Sequence, residues 1–207
     1  MSLGVILSRG QPIHKEHIEM INKALQENNE VLFIMGSSDK KKTKRNPFPI
    51  GYRKNMYKAA LKFINNNNNV DKKRLMYMEL PDLSSDNAIP KQDNISGVID
   101  NASYVNKEWG MYLYYNIVSK TGKKEFTFYY NDDISLLAEW FPEFLQNRIT
   151  VKSTQRLNNI SSSAIRQAII DGNIKYIEEC IPYWKGAKLR DMIDRYKKIV
   201  DMEENVL

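Results

Sequence analysis

The chain opens on a continuous apolar run, residues 3–8 (LGVILS), that stops at Arg9-Gly10 and gives way from Lys15 to a helical period with Ile18, Ile21 and Leu25 on one side. A run that is apolar on both faces suits a strand inside a parallel sheet, because such a sheet is covered by helices on each side. The same unit then recurs. Residues 30–36 read as a second buried strand, followed by the basic stretch 40–45 and a helical spacing over 51–64. Residues 74–80, 125–130 and 149–153 supply three more strands, and helical patterns occupy 106–119, 134–140 and 164–170. The five asparagines at 65–69 compete with the backbone for hydrogen bonds and read as a surface connection, and 81–100 reads as a long loop. Asn131-Asp132-Asp133 offers an N-cap to the helix that follows it. Strands alternating with helices predict an α/β fold, with a mainly parallel five-stranded sheet, flanking helices and a C-terminal helical extension. The expected division is residues 1–172 as one domain and 173–207 as an extension packed on it. In that extension Leu189, Met192, Ile193, Tyr196, Ile199 and Val200 share a stripe that suits either the core or a contact between subunits of a homo-oligomer.

Composition narrows the class. The 207 residues carry a net charge of +6, which suits an anionic ligand and equally a solvated lysine surface. Cys180 is the only cysteine, lies in an apolar pattern and reads as a small buried residue in a reducing cytoplasm. The N-terminal apolar run is too short for a signal sequence and no run reaches eighteen residues, so neither membrane nor secretion is expected.

In a parallel sheet, ligands sit beyond the carboxyl ends of strands where the strand order reverses. The loops at those ends carry Arg9, His14 and His17 after the first strand, a basic loop reaching Arg53 after the second, Trp109 after the third, Asn131 after the fourth and Ser161–Arg166 after the fifth. Each group can hold a phosphate, a base or a sugar. Both histidines of the chain fall within one four-residue window.

Those residues carry a resemblance. SRGQPIHKEH at 8–17 resembles the GRFQPxHxGH segment of the nucleotidylyltransferase superfamily, and most of all that of archaeal-type nicotinamide-mononucleotide adenylyltransferases. Arg45-Asn46-Pro47-Phe48 with Gly51-Tyr52-Arg53 is similar to that family's NPF…GER stretch, and ISSSAIR at 160–166 is similar to its ISSTxIR signature. The two end motifs stand in the family's order, some 145 residues apart. Trp109 and Tyr130-Asn131-Asp132 match the family's tryptophan and YxN element more loosely.

The resemblance implies a Rossmann-like nucleotidylyltransferase fold and adenylyl transfer from ATP to nicotinamide mononucleotide, giving NAD and pyrophosphate. By that resemblance Ser8, Arg9, His14, His17, Ser161, Ser162, Ser163 and Arg166 bind ATP, with His14, His17 and Arg166 catalytic. Arg9, Arg53, Trp109 and Asn131 bind the acceptor, and Mg²⁺ arrives on the triphosphate. A phosphate monoester has a second pKa of about 6, so the acceptor is already a nucleophile at neutral pH and needs no general base. Plain alternatives stand beside several residues: Arg53 on a solvated helix face, Trp109 in an apolar stripe, the serines as a helix cap, and lysines 40, 41, 42 and 44 as a solvated loop. The motif glycine is replaced by Glu16, which brings bulk and negative charge beside a triphosphate. Two further readings follow, nucleotidylyl transfer to another phosphorylated acceptor and a catalytically silent nucleotide-binding protein. Class I aminoacyl-tRNA synthetases bear similar histidine pairs, but this chain lacks a KMSKS-like loop, and nucleic acid is not an expected partner.

Overall fold

The computed structural model describes residues 1–68, 71–83, 101–130, 139–154 and 160–205. Five strands alternate with seven helices among them: β1 (Leu3–Ser8), α1 (Lys15–Glu27), β2 (Glu30–Met35), α2 (Ile50–Asn68), β3 (Leu75–Glu79), α3 (Asn101–Thr121), β4 (Phe126–Tyr130), α4 (Glu143–Gln146), β5 (Ile149–Ser153), α5 (Ser162–Ile170), α6 (Ile174–Cys180) and α7 (Ala187–Glu204). All strand pairs are parallel, in the order β3-β2-β1-β4-β5. The chain winds outward from β1 to β3, returns to the other side of β1 at β4, and winds outward again.

The register explains why the central strands β2, β1 and β4 are largely apolar on both faces. Val5 pairs with Leu32 and Phe128, and the next residue, Ile6, pairs with Phe33 and Tyr129. Side chains alternate faces along a strand, so each row enters a different core. The Val5 row packs with Leu113, Tyr114 and Ile117 of α3 and Leu145 of α4. The Ile6 row packs with Ile21 and Leu25 of α1, Met56 and Ala60 of α2, and Ile165 and Ile169 of α5. Each fully buried residue of this kind contributes about 1.5–3 kcal/mol, so two such layers outweigh any single polar contact in holding the sheet. Ile177 and Cys180 of α6 and Leu189, Met192 and Tyr196 of α7 lie in the second of these cores. The tail stripe therefore faces the core of its own chain. Among the described residues no helix is long and apolar enough to cross a membrane.

Two expectations change, and a third is not tested. The asparagine run does not end its helix at residue 64, because α2 continues to Asn68. Buried Tyr57, Ala60 and Ile64 anchor the preceding turns, and extending an anchored helix costs only some tenths of a kcal/mol per asparagine. α3 begins at Asn101, five residues before the helical pattern expected at 106–119. The capping motif at 131–133, most of the helix after it and most of the 81–100 loop lie outside the described residues.

Packing on the α3 side requires a glycine. A Cβ at Gly110 would stand 1.7 Å from the Trp140 carbonyl oxygen, so that segment lies against α3 only because residue 110 has no side chain. Gly110→Ala is expected to cost about 1–3 kcal/mol through overpacking, seen as a lower melting temperature. An unchanged melting temperature would mean that this close approach does not constrain the fold.

Candidate functional site

The strand order reverses between β1 and β4, and a cleft of about 370 Å³ opens at their carboxyl ends. Ser8, Arg9, Gly10, Gln11, His14 and His17 line it from the first turn, Tyr129 and Tyr130 from the end of β4, and Ser161, Ser162, Ser163 and Arg166 from the start of α5. All eight residues expected at ATP thus border one space, although the turn and α5 are far apart in the chain.

The turn after β1 is built to present donors. The His17 Nδ1 accepts the His14 amide at 3.2 Å, so the neutral ring carries its proton on Nε2, which lies 2.5 Å from the Ser8 Oγ. The same oxygen accepts the Gly10 amide at 3.0 Å. With two donors directed at it, Ser8 has its own hydroxyl proton left for a ligand. Gly10 adopts φ +57, which glycine enters at no steric cost, and a Cβ there would meet the Met35 sulfur at 2.8 Å. The His14 and His17 rings lie with centroids 3.9 Å apart. Burial pushes the His17 imidazole down to about 4, so it acts here as a neutral donor.

The opposite wall is a helix start. The Ser161 Oγ accepts the Ala164 amide at 3.0 Å as an N-cap, leaving the Ser162 and Ser163 amides for an anion. Arg166 donates to the Gln11 carbonyl at 2.7 Å and to the Ser163 Oγ at 3.0 Å, and Tyr196 of α7 stands beside it. Burial lowers the affinity of Arg9 for its proton, and the charges of Arg45 and Arg166 lower it further. Arg166 is lowered likewise, by burial and by Arg45. Two guanidiniums thus line one cleft and a third, that of Arg45, bears on both from outside its wall, which favours a ligand with several negative charges. Arg45 stands in the stretch that resembles the family's NPF motif, yet motif spacing alone assigns it no role; only the folded loop brings it near Arg9 and Arg166.

The turn is held from behind by side chains remote in sequence. Arg53 is fully buried and donates to the carbonyls of Arg9 (2.7 Å), Gly36 (2.8 Å) and Ser37 (2.8 Å). The Ser162 hydroxyl donates to the Pro12 carbonyl at 2.9 Å, and the Tyr183 hydroxyl to the Ile13 carbonyl at 2.8 Å. Gln11 reaches the backbone of Phe48 with both ends of its amide, at 2.9 and 3.1 Å. Tyr183 has no sequence signal, because it falls in no motif and on no periodic stripe.

Other expected residues stand elsewhere. Arg53 is not on a solvated face, and with both terminal nitrogens bonded to carbonyls it joins the loops after β1 and β2 rather than lining the cleft. Trp109 is half-buried in the apolar layer on α3, its ring centroid 5.6 Å from that of Tyr112, and is absent from the cleft wall. Asn131 lies outside the described residues. Glu16 is buried but does not line the cleft; its charge bears on Tyr176 and Cys180 of α6. The motif position is thus occupied by a carboxylate that stands outside the cleft wall.

Residues 10–168 match the Cytidylyltransferase-like family, a span that takes in both histidines and the Ser161–Arg166 wall of the cleft. The chain belongs to that family. Among proteins similar to this cytidylyltransferase-like chain, the nicotinamide-nucleotide adenylyltransferase of Saccharolobus solfataricus is 32% identical over 87 residues, 42% of this chain and 48% of that protein. The protein of the same name from Pyrococcus furiosus is 33% identical over 85 residues, covering 41% of this chain and 43% of that one. These matches span about half the length of either relative or less. A nicotinamide/nicotinic acid mononucleotide adenylyltransferase of Acinetobacter baylyi is 24% identical over 180 residues, 86% of this chain and 79% of that protein. Among solved structures, a bifunctional NMN adenylyltransferase/ADP ribose pyrophosphatase from Francisella tularensis, complexed with AMP and a manganese ion, has a TM-score of 0.70 at 18% identity. The likeness covers 99% of this chain and 53% of that one, and at this identity it speaks for the fold.

The depressed His17 value makes the stability of this family member depend on pH. An unfolded histidine takes up a proton near pH 6.5, whereas His17 in the folded chain refuses it until about pH 4. Its contribution is therefore complete above pH 6.5 and is lost as the pH falls towards 4. Urea unfolding is expected to lose on the order of 3 kcal/mol between neutral pH and pH 4 beyond any loss seen in His17→Asn. Parallel curves for the two proteins would remove His17 as the source.

Proposed function

We propose that the protein transfers the adenylyl group of ATP to nicotinamide mononucleotide, giving NAD and pyrophosphate by direct in-line displacement. The observation that carries this reading is the meeting of the Ser8–His17 turn and the Ser161–Arg166 helix start on one cleft, with Arg9 and Arg166 in its wall and the charge of Arg45 bearing on both. The archaeal and bacterial relatives named for this reaction support it.

The acceptor phosphate, dianionic above about pH 6, attacks the α-phosphorus of ATP; the bond to the pyrophosphate oxygen breaks, and pyrophosphate departs with the electron pair. Two anions must be held together in line, so catalysis rests on positioning and charge neutralisation. Arg166 and the Ser162 and Ser163 amides are assigned to the β,γ-phosphates, where negative charge accumulates as the bond breaks. His17, His14 and the Ser8 hydroxyl are assigned to phosphate oxygens on the opposite wall, and Arg9 is assigned to the acceptor phosphate. Tyr130 leads from the cleft wall directly into Asn131, which is assigned to the acceptor ribose. The cleft presents hydroxyls, imidazoles and guanidiniums, which suit phosphate oxygens better than a cation. Mg²⁺ is accordingly expected to ride on the triphosphate with bound waters and to neutralise part of its charge.

Release of pyrophosphate from ATP and Mg²⁺ with a panel of phosphorylated acceptors tests the reading, with NAD formed from nicotinamide mononucleotide as the expected result. Release with a different acceptor alone would reassign the substrate, and ATP binding without release for any acceptor would overturn enzymatic function. His17→Ala is expected to lower turnover by about 10²–10³-fold with an unchanged circular dichroism spectrum. Near-normal turnover would take His17 out of the mechanism.

A further inference from the structure

The loop that carries Arg45 is attached to the far end of the last helix. Within the loop, the Asn46 amide donates to the Thr43 Oγ1 at 2.9 Å and the Thr43 amide to the Asn46 carbonyl at 3.4 Å, closing a tight turn with Lys44 and Arg45 at its crown. Its exit is fixed where Gln11 grips Phe48. Its crown is fixed by α7: the half-buried Glu203 carboxylate accepts the Lys44 amide at 2.9 Å. The neighbouring Glu204 meets the Lys44 ammonium at 3.1 Å, but both of those side chains are exposed, and such pairs contribute little.

A second observation sets Glu203 apart. The last turn of a helix carries the negative end of its dipole, and α7 has two glutamates and no basic residue there. Helix stability therefore does not account for Glu203. The contact with Lys44 does, since an amide bonded to a carboxylate compensates the charge and fixes a loop at the same time.

We infer that Glu203 is a positioning residue for phosphate binding: by holding the Lys44 amide it keeps Arg45 near the cleft residues Arg9 and Arg166. This rests on the reading of the cleft as a nucleotide phosphate site. The inference makes a prediction of unusual sign. If Glu203 acted only as a nearby negative charge, removing it would strengthen the binding of polyanionic ATP. As a brace its removal must weaken binding, and Glu203→Gln, which keeps an oxygen able to accept the amide, must restore it.

The test is calorimetric titration of ATP and Mg²⁺ into the full chain at low salt. Glu203→Ala is expected to weaken ATP binding about three- to tenfold, Glu203→Gln to bind at least as well as the parent, and all variants to melt within a few degrees of it. Arg45→Ala should weaken binding at least as much as Glu203→Ala, and the double variant should be no weaker than Arg45→Ala alone, because the brace acts through that guanidinium. Unchanged or tighter binding in Glu203→Ala, no rescue by Glu203→Gln, or losses that multiply in the double variant would overturn the inference while leaving the nucleotide site intact. Failure of the parent protein to bind ATP would instead overturn the reading of the cleft on which it rests.

Discussion

Buried carbonyls must find donors, and between Arg9 and Ile13 that requirement ties the molecule together. The turn that presents Ser8, His14 and His17 has little regular structure of its own to satisfy its backbone. Its carbonyls at residues 9, 11, 12 and 13 are met by Arg53 from α2, Arg166 and Ser162 from α5, and Tyr183 from the segment before α7. Each donor arrives from an element already fixed by the apolar layers. The geometry of the cleft is thus a product of core packing, transmitted through a few hydrogen bonds to a segment that would otherwise have many conformations.

The two end motifs acquire a physical meaning in this arrangement. Arg166 and Ser162 do more than form a wall opposite the histidines, because their side chains also bond to the backbone of the histidine turn. Either motif alone would be a loop at the end of a strand. Together they hold each other in place, which is why residues remote in sequence form one wall-to-wall site.

Much of the architecture was legible because apolar strands and periodic helices are local patterns, and Leu3–Ser8 or Ile149–Ser153 announce themselves without any partner. The cleft residues of the two end motifs were legible for a related reason, since a strand terminus followed by a helix start is itself a place for an anion. What escaped reading depends on long-range geometry. Arg53 looks like any charged residue on a helix until the fold buries it under three carbonyls. Glu16 stands inside the motif in sequence, but the groups its charge bears on lie in α6, more than 150 residues later. Tyr183 and Glu203 each act through one bond to a main-chain group, and sequence does not encode which carbonyl or amide will be near. The asparagines of α2 illustrate the opposite error, in which local propensity was outweighed by buried neighbours one turn earlier.

The neutral state of His17 has a consequence for how such a cleft meets its surroundings. The fixed positive charge of the cleft wall belongs to Arg9 and Arg166, whose guanidiniums keep their protons at any physiological pH even when burial and the nearby charge of Arg45 weaken their hold. His17, buried to about 4, donates the same hydrogen bond from mildly acidic to alkaline conditions. These three groups are in effect proton-silent: under the proposed function, a shift in cellular acidity leaves their electrostatic field as it was and acts instead on the acceptor phosphate, whose second ionisation lies near pH 6. The sensing of acidity is thereby left to the ligand, and the protein supplies a constant background against which the ligand's charge is read.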